Sequence, residues 1–337
     1  KTLEYAYDDW CIATMLSPAD AAGWDRFQAR GHSFQNLFDP ATGFFHPRRN
    51  GGFIKPFDPF EVNFHFTEAN AWQYSLFAPH AMDRLKAMHG GADPLSNFLD
   101  RLFSATSTTS GREQADITGL IGQYAHGNEP SHNMAYLYEA VGHPEKTRAL
   151  AKRIMTEFYH DTPDGLIGNE DCGQMSAWYV LSAMGFYPTC PGEPWYTLGY
   201  PLFDRVRIAQ PNGNTFTLRA DRAGSQRPVI TDPENWYVPT RIDHFSIMRG
   251  DTLTLDHERA AYPVRFGVDS AAWAVIPPPI AAPVIEAAGP VFSGTQEVRV
   301  TTAGGPYSGP ITITNDGSRP RVMQYSAPIT IGRSCTV

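Results

Sequence analysis

No apolar run in this 337-residue sequence approaches the about 18 residues that a membrane-crossing helix needs, so no segment reads as a membrane span. Cysteine is scarce. The four present, Cys11, Cys172, Cys190 and Cys335, form no CxxC pair and no His/Cys spacing, which excludes the familiar zinc frameworks. Positive charge is in deficit too: 27 Lys and Arg face 35 Asp and Glu, a net −8 that offers nucleic acid no basic footprint. Charged residues are only 18 % of the chain, while aromatics reach 12 %. A chain of this length is expected to hold two or three domains, each able to bury a core.

What is present concentrates in three segments. Residues 165–187, GLIGNEDCGQMSAWYVLSAMGFY, run from a Gly- and acid-rich loop into an apolar helix. Met175, Tyr179, Ala183 and Phe186 recur at helical steps, Gly185 supplies a left-handed stop, and Pro188 blocks continuation. In the loop, Glu170 and Asp171 crowd with Asn169 and Gln174. Such acids can simply cap free N–H groups and favour the helix dipole. Two further segments give them company.

In the first, FHFTEANAWQYSLFAPH (64–80), Glu68 lies among Phe64, Phe66, Trp72, Tyr74 and Phe77. A carboxyl so surrounded is expected to be partly desolvated and to keep its proton near neutrality, as a general acid must. In the second, QYAHGNEPSHNMAYLYEAVG (123–142), Asn128 and Glu129 precede Pro130 at a helix entry, with His132, Asn133 and Tyr136 in the first turns. Oxygen donors at such an entry suit a hard cation such as calcium. Carboxylates, amides and aromatics gathered at loop–helix junctions also describe a carbohydrate site.

The segments LEYAYDDWCIA (3–13), TEANAWQYSLFAPH (67–80), HGNEPSHNMAYLY (126–138) and GNEDCGQMSAWYVLSAMGFYP (168–188) strongly resemble glycoside hydrolase family 92, the calcium-dependent, inverting, exo-acting α-mannosidases. The resemblance runs from residue 1 to about 270. It implies that Glu68 is the general acid and Asp171 the general base, in an inverting pair about 6.5–9.5 Å apart. It places Ca2+ at His132 and Asn133, partly through backbone carbonyl oxygen, beneath the terminal sugar. Asn128 and Glu129 would contact that sugar, while Asp8, Asp9 and Trp72 are weaker assignments to the site wall. For Trp72, plain core packing is an equal alternative, and for His132 an ordinary surface histidine.

The chain departs from the family at two points. Many members carry an acid where this chain has Asn169, so an assisting carboxylate is lost, although Asn can still orient a water. Many also have Trp at the position of Leu76 and an acid straight after His80.

The expected architecture is multidomain, a mix of α and β: a partial (α/α)6 toroid followed by β-sandwich-type regions. Residues 1–194 are expected to form the partial toroid, with helices over 2–15, 19–37, 67–78, 93–105, 130–141 and 144–159. A long Gly-, Pro- and Phe-rich loop fills 38–65. Residues 195–272 read as a β region that closes the catalytic unit, with a hairpin about Pro-Asn-Gly in 205–220 and strands continuing through IMRGDTLTLDHE. A Pro/Ala-rich linker follows at 273–288. Residues 289–337 resemble part of an immunoglobulin-like, Fn3-associated or chitobiase C-terminal module.

The resemblance further implies a secreted or periplasmic bacterial protein that acts on α-mannosides or N-glycans. It also implies an N-terminal β-sandwich of the same parent protein as a partner, and earlier barrel helices preceding Lys1. Exposed apolar surface is then expected to make the isolated piece aggregate. A Cys172–Cys190 bridge is compatible with an oxidising compartment. The competing reading is a catalytically silent carbohydrate-binding or structural fragment, against which the acid–base pair argues. An inverting glucan-acting toroid would lack the GNEPSHN segment.

Overall fold

The computed structural model describes residues 1–16, 20–221, 240–256, 283–286, 295–302 and 329–331. Two helices open it, α1 (Thr2–Leu16) and α2 (Ala21–Gly31), packed along one another. Leu3, Ala6, Asp9 and Ala13 of α1 turn inward at helical spacing. Asp9 is buried because Arg30 of α2 pairs with it, Nε to Oδ2 at 2.9 Å. Asp20 starts α2 by accepting the Gly23 N–H. The stretch expected as one helix over 19–37 breaks at His32 and continues as a 3₁₀ turn, Ser33–Leu37.

The helix expected over 67–78 is a single turn, α3 (Ala71–Tyr74). Asn70 caps it and Gln73 reaches back to the Asn70 N–H, a reciprocal capping box that fixes the start at Ala71, four residues later than the sequence pattern implies. Gln123 then locks the turn: its Oε1 accepts from Asn70 at 2.8 Å, and its carbonyl accepts from Gln73 at 3.2 Å. Helices α4 (Met82–His89) and α5 (Ala92–Ser104) follow. On α5, Leu95, Phe98, Leu99 and Leu102 form the inward stripe.

At the end of α5 the chain returns through Gly122, whose φ of +61° only glycine takes easily. A Cβ there would stand 2.2 Å from the Leu102 carbonyl oxygen, which also accepts the Gln123 N–H at 2.8 Å. Gly122→Ala is therefore expected to destabilise the chain by at least about 1–3 kcal/mol. A urea midpoint unchanged from wild type would contradict this.

Residues expected as helix over 130–141 form instead two 3₁₀ turns, Glu129–Ser131 and Met134–Val141. Nearly every side chain from Met134 to Tyr138 is buried, so there is no polar face of the kind an amphipathic α-helix presents. Helix α6 (Pro144–Glu157) begins at Pro144 as its sequence requires and buries Ala151, Ile154 and Met155. Helix α7 (Gln174–Met184) stops at Gly185, φ +104°. Its buried face is Met175, Trp178, Ser182 and Ala183. Tyr179 is only half-buried, and Phe186 belongs to the next strand.

Strands β1 (Phe186–Tyr187), β2 (Trp195–Leu198) and β5 (Arg241–Asp243) form one antiparallel sheet with β2 central. Strands β3 (Arg205–Ala209) and β4 (Thr215–Asp221) make the expected hairpin, turning through Gly213 at φ +86°. Strand β6 (Thr252–Asp256) pairs with β4 in parallel. Leu218 stands opposite both Val206 and Leu253, so alternate residues meet in a second core with Phe216, Ile242, Ile247 and Leu255. One expectation is corrected here. IMRGDTLTLDHE is not strand throughout, because His244–Arg249 is helix α8, capped by Asp243 and ended by Gly250, φ +82°.

The chain divides into two compact units, Lys1–Arg265 and Phe266–Val337. In the second, β7 (Pro283–Glu286), β8 (Gln296–Thr302) and β9 (Ile329–Ile331) form an antiparallel sheet with β8 central. The rest of the expected linker at 273–288 and of the module at 289–337 lies outside the described residues, as does the strand pattern beyond Asp256.

Candidate active site

Among the described residues, four non-glycine residues occupy the left-handed backbone region, and two of them are Glu68 (φ +59°) and Asp171 (φ +51°). Cys172 (φ +57°) follows the second; Asn50 is of a type that tolerates this region. A residue with a Cβ is disfavoured there by on the order of 1–2 kcal/mol. Such backbone persists only where the surroundings hold it, and it gathers at functional sites.

The Glu68 turn is held from below. The Asn128 amide donates to the Glu68 carbonyl oxygen at 3.0 Å. Glu68 itself is exposed. The desolvating aromatic shell expected around it is absent, because Phe66, Trp72 and Tyr74 are buried in the core beneath, and Phe64 extends into solvent, 92 % exposed. Trp72 packs between Phe44, Phe60 and Phe98 with the Arg101 guanidinium over its ring. It packs as a core residue, 6 % exposed.

In the GNED loop the two acids divide the work. Glu170 is the capping residue: its carboxylate accepts the N–H groups of Gly173 at 2.7 Å and Ser176 at 2.9 Å, at the start of α7. Hydrogen bonds from Ser176 hold this carboxyl below its ordinary range. Asp171 is exposed and meets Glu129. Burial pushes the Glu129 carboxyl up; a hydrogen bond shared with Asp171 and the nearby charges of Asp171 and Glu68 push it further. Glu68, Glu129 and Asp171 therefore face one region from three separate loops. Asn169 is exposed, its amide 3.5 Å from Asp116 Oδ1.

Close packing brings the loops together. A Cβ on Gly127 would lie 1.9 Å from Thr118 Oγ1, and one on Gly168 would lie 2.7 Å from the same atom. Only glycines let segments 116–119, 126–128 and 167–169 approach so closely.

His132 is fully committed. Its Nε2 donates to the His126 carbonyl oxygen at 2.9 Å, its Nδ1 accepts from the Gln174 amide at 3.1 Å, and its own carbonyl oxygen accepts Trp178 Nε1 at 3.0 Å. Burial depresses its pKa to about 4. The imidazole is thus held as a structural post through both of its nitrogens. His126 repeats the pattern: Tyr124 donates to Nδ1 at 2.8 Å, and Nε2 donates to Tyr159, which passes on to the Met175 carbonyl. Burial, with His132 alongside, lowers the His126 pKa to about 2.

Oxygen donors are better placed for a hard cation. Asn128 Oδ1 is buried and has no hydrogen-bond partner among the described residues. Asn133 turns its amide nitrogen to the Thr189 carbonyl at 3.4 Å, and its oxygen away from it. Amide and carboxylate oxygens of this kind fit calcium. Among the described residues no three His, Cys, Asp or Glu side chains gather as a metal cluster.

Asp9 is the buried partner of Arg30, and Asp8 is exposed on α1 beside Cys11. Cys172 is exposed and Cys190 buried, both as free thiols, so they form no bridge. Sequence reasoning gave no role to His126, and named Gln174 only as a neighbour of the acids. Their burial and pairing are visible only once Trp178, Tyr159 and Tyr124 are packed around them.

No helix among the described residues is long and apolar enough to cross a membrane. An uncharacterized secreted glycosidase of Arthroderma benhamiae is 28 % identical over 287 residues, covering 76 % of this chain and 35 % of the relative. Among solved structures, a family GH92 alpha-mannosidase of Bacteroides thetaiotaomicron in complex with mannoimidazole matches with a TM-score of 0.67 and 32 % identity, over 75 % of this chain and 35 % of that one. A family GH92 inverting mannosidase of the same organism matches with a TM-score of 0.65 and 33 % identity, over 76 % and 36 %. The chain thus spans about a third of the length of these relatives. Residues 1–258 match the glycosyl hydrolase family 92 catalytic domain, and the chain belongs to that family.

Proposed function

We propose that this chain carries the acid and the base of an exo-acting α-mannosidase that removes terminal mannose from α-mannosides or N-glycans with inversion. The observation that carries the reading is the convergence of Glu68 and Asp171, both on left-handed backbone, upon Glu129. The names of the two bacterial relatives, mannosidases both, support the substrate class.

In this reading Glu68 donates its proton to the glycosidic oxygen as the bond to the anomeric carbon breaks. Asp171 takes a proton from a water on the opposite face of the ring, and that water's oxygen bonds the anomeric carbon. Exposure of both carboxyls allows each to exchange protons with solvent between turnovers. Glu129 and Asn128 bond the sugar hydroxyls, and Asn169 orients the water that a second carboxylate would otherwise polarise. Calcium would be held by oxygens of Asn128, Asn133 and Glu129; when bound, it would fix the 2- and 3-hydroxyls and stabilise charge built up as the ring flattens.

The helical part, 1–194, is proposed as part of an (α/α)6 toroid and 195–272 as the β region closing it. An N-terminal β-sandwich of the same gene product would complete the leaving-group side. Residues 289–337, after the linker 273–288, are proposed as an Fn3-associated spacer. Export from the cell fits the secreted fungal relative.

The test is hydrolysis of α-1,2-, α-1,3-, α-1,4- and α-1,6-mannobiosides by this chain and by the full-length gene product, with and without EDTA. The expected result is mannose release that EDTA abolishes and calcium restores. Turnover indifferent to EDTA would rule calcium out of the mechanism. Mannose binding without turnover in both proteins would favour a silent carbohydrate binder.

A further inference from the structure

A line of side chains runs from the acid-bearing segment to the base-bearing loop. Arg112 starts it, beside the parallel pairing of Glu61–Val62 with Ser110–Gly111. Its backbone N–H donates to the Val62 carbonyl at 2.9 Å, and its guanidinium lies over the Phe64 ring, 5.0 Å from the centroid. Arg112 Nη1 donates to Gln114 Oε1 at 2.6 Å, and Gln114 Nε2 donates to Asp116 Oδ2 at 2.5 Å. The other oxygen, Asp116 Oδ1, accepts from Asn169 Nδ2 at 3.5 Å. Packing fixes the two segments side by side, since a Cβ on Gly168 would meet Thr118 Oγ1 at 2.7 Å.

The direction of each bond follows from the groups themselves. A guanidinium only donates and a carboxylate only accepts, so Gln114 must give its oxygen to Arg112 and its nitrogen to Asp116. Asn169 must likewise turn its nitrogen to Asp116, which leaves its oxygen as the acceptor facing away from that carboxylate. We infer that Arg112, Gln114 and Asp116 are positioning residues for Asn169: they fix its amide so that Oδ1 accepts from the water that Asp171 activates. The inference rests on the proposed roles of Asp171 and Asn169. It accounts for an amide standing where many family members carry an acid. The acceptor is kept, and no second carboxylate is set against Asp116.

A double-mutant cycle in the full-length gene product separates positioning from general damage. In Asp116→Asn the new amide keeps the Gln114 bond through its oxygen and presents N–H to residue 169. Asn169 then answers with its oxygen and turns its nitrogen to the water, the wrong polarity for an acceptor. The kcat for an α-mannobioside is expected to fall about 10-fold, with KM near wild type. In an Asn169→Ala background the same Asp116→Asn change should cost nothing further, because the group it acts through is gone. Adding Asn169→Asp to Asp116→Asn should bring kcat back to near the wild-type value, since an amide at 116 then donates to a carboxylate at 169. Asp116 is half-exposed and Asn169 exposed, and no substitution enlarges a side chain, so folding is spared.

An Asp116→Asn variant with unchanged kcat, or one that loses as much again in the Asn169→Ala background, would overturn the inference. So would a swapped pair that stays as slow as Asp116→Asn alone. Asp171→Asn serves as the reference. If it turns over at the wild-type rate, the base assignment itself fails. If it is inactive and the effects at 116 and 169 simply add, only the positioning role fails.

Discussion

Asp171→Asn and Glu68→Gln are each expected to reduce kcat on an α-mannobioside by about 10²–10⁴-fold, the usual contribution of a positioned proton-transfer group. Neither change should disturb folding, because both side chains are exposed and each substitution keeps shape and size. The two losses should differ in character. Removing the acid should hurt sugar leaving groups most, whereas removing the base should hurt all substrates alike, since every one requires activated water. The Asp171 variant should also alter Glu129, which loses a charge and a hydrogen-bond partner and should then ionise more readily. Glu170→Gln is the informative control. Its carboxylate caps α7, so this change should lower stability while leaving most of kcat intact. A Glu170 variant as inactive as the Asp171 variant would mean that the base is the other member of the pair.

Acid should unfold this protein earlier than its carboxylates alone would require. His126 and His132 are buried and neutral, with pKa values lowered by burial to about 2 and about 4. In the unfolded chain both titrate near 6.5. As pH falls below that value the unfolded state gains protons that the folded state refuses, so stability is complete above pH 6.5 and declines toward pH 4. Each histidine then costs on the order of 3 kcal/mol by pH 4. Glu129 works in the opposite sense, because its raised pKa lets the folded state take a proton first, but it is one group against two. Urea midpoints at pH 7, 6, 5 and 4.5 should fall steadily. A midpoint that stays flat from pH 7 to pH 5 would contradict the buried, neutral state of the two histidines.

Much of this site could be read from residue order alone, for a local reason. Gly185 ends α7 and Pro144 begins α6 because backbone preference at those residues outweighs tertiary context. The hairpin at 205–220 follows from Pro-Asn-Gly between alternating apolar residues. Glu68, Glu129 and Asp171 stood out because acids next to aromatics and amides at loop–helix junctions are unusual without a chemical purpose.

The failures share a different cause. Trp72 and Phe64 both stood among the aromatics expected around Glu68, yet one is 6 % exposed and the other 92 %, a difference set by Phe44, Phe60 and Phe98 arriving from elsewhere in the chain. The helix expected over 67–78 was shortened by the Asn70–Gln73 box and by Gln123, some fifty residues away in sequence. Nothing in residue order shows that Gln174 and the His126 carbonyl use both nitrogens of His132. Its neighbours Asn128 and Asn133 carry amide oxygens beside it.

The measurement that tests the central claim most directly is the anomer of the first mannose released, followed by proton NMR before mutarotation, with the full-length gene product and an α-mannobioside. A single displacement with Glu68 as acid and Asp171 as base predicts β-mannose as the initial product. Initial α-mannose would require two displacements and a covalent intermediate, and would contradict the single displacement and the base role of Asp171.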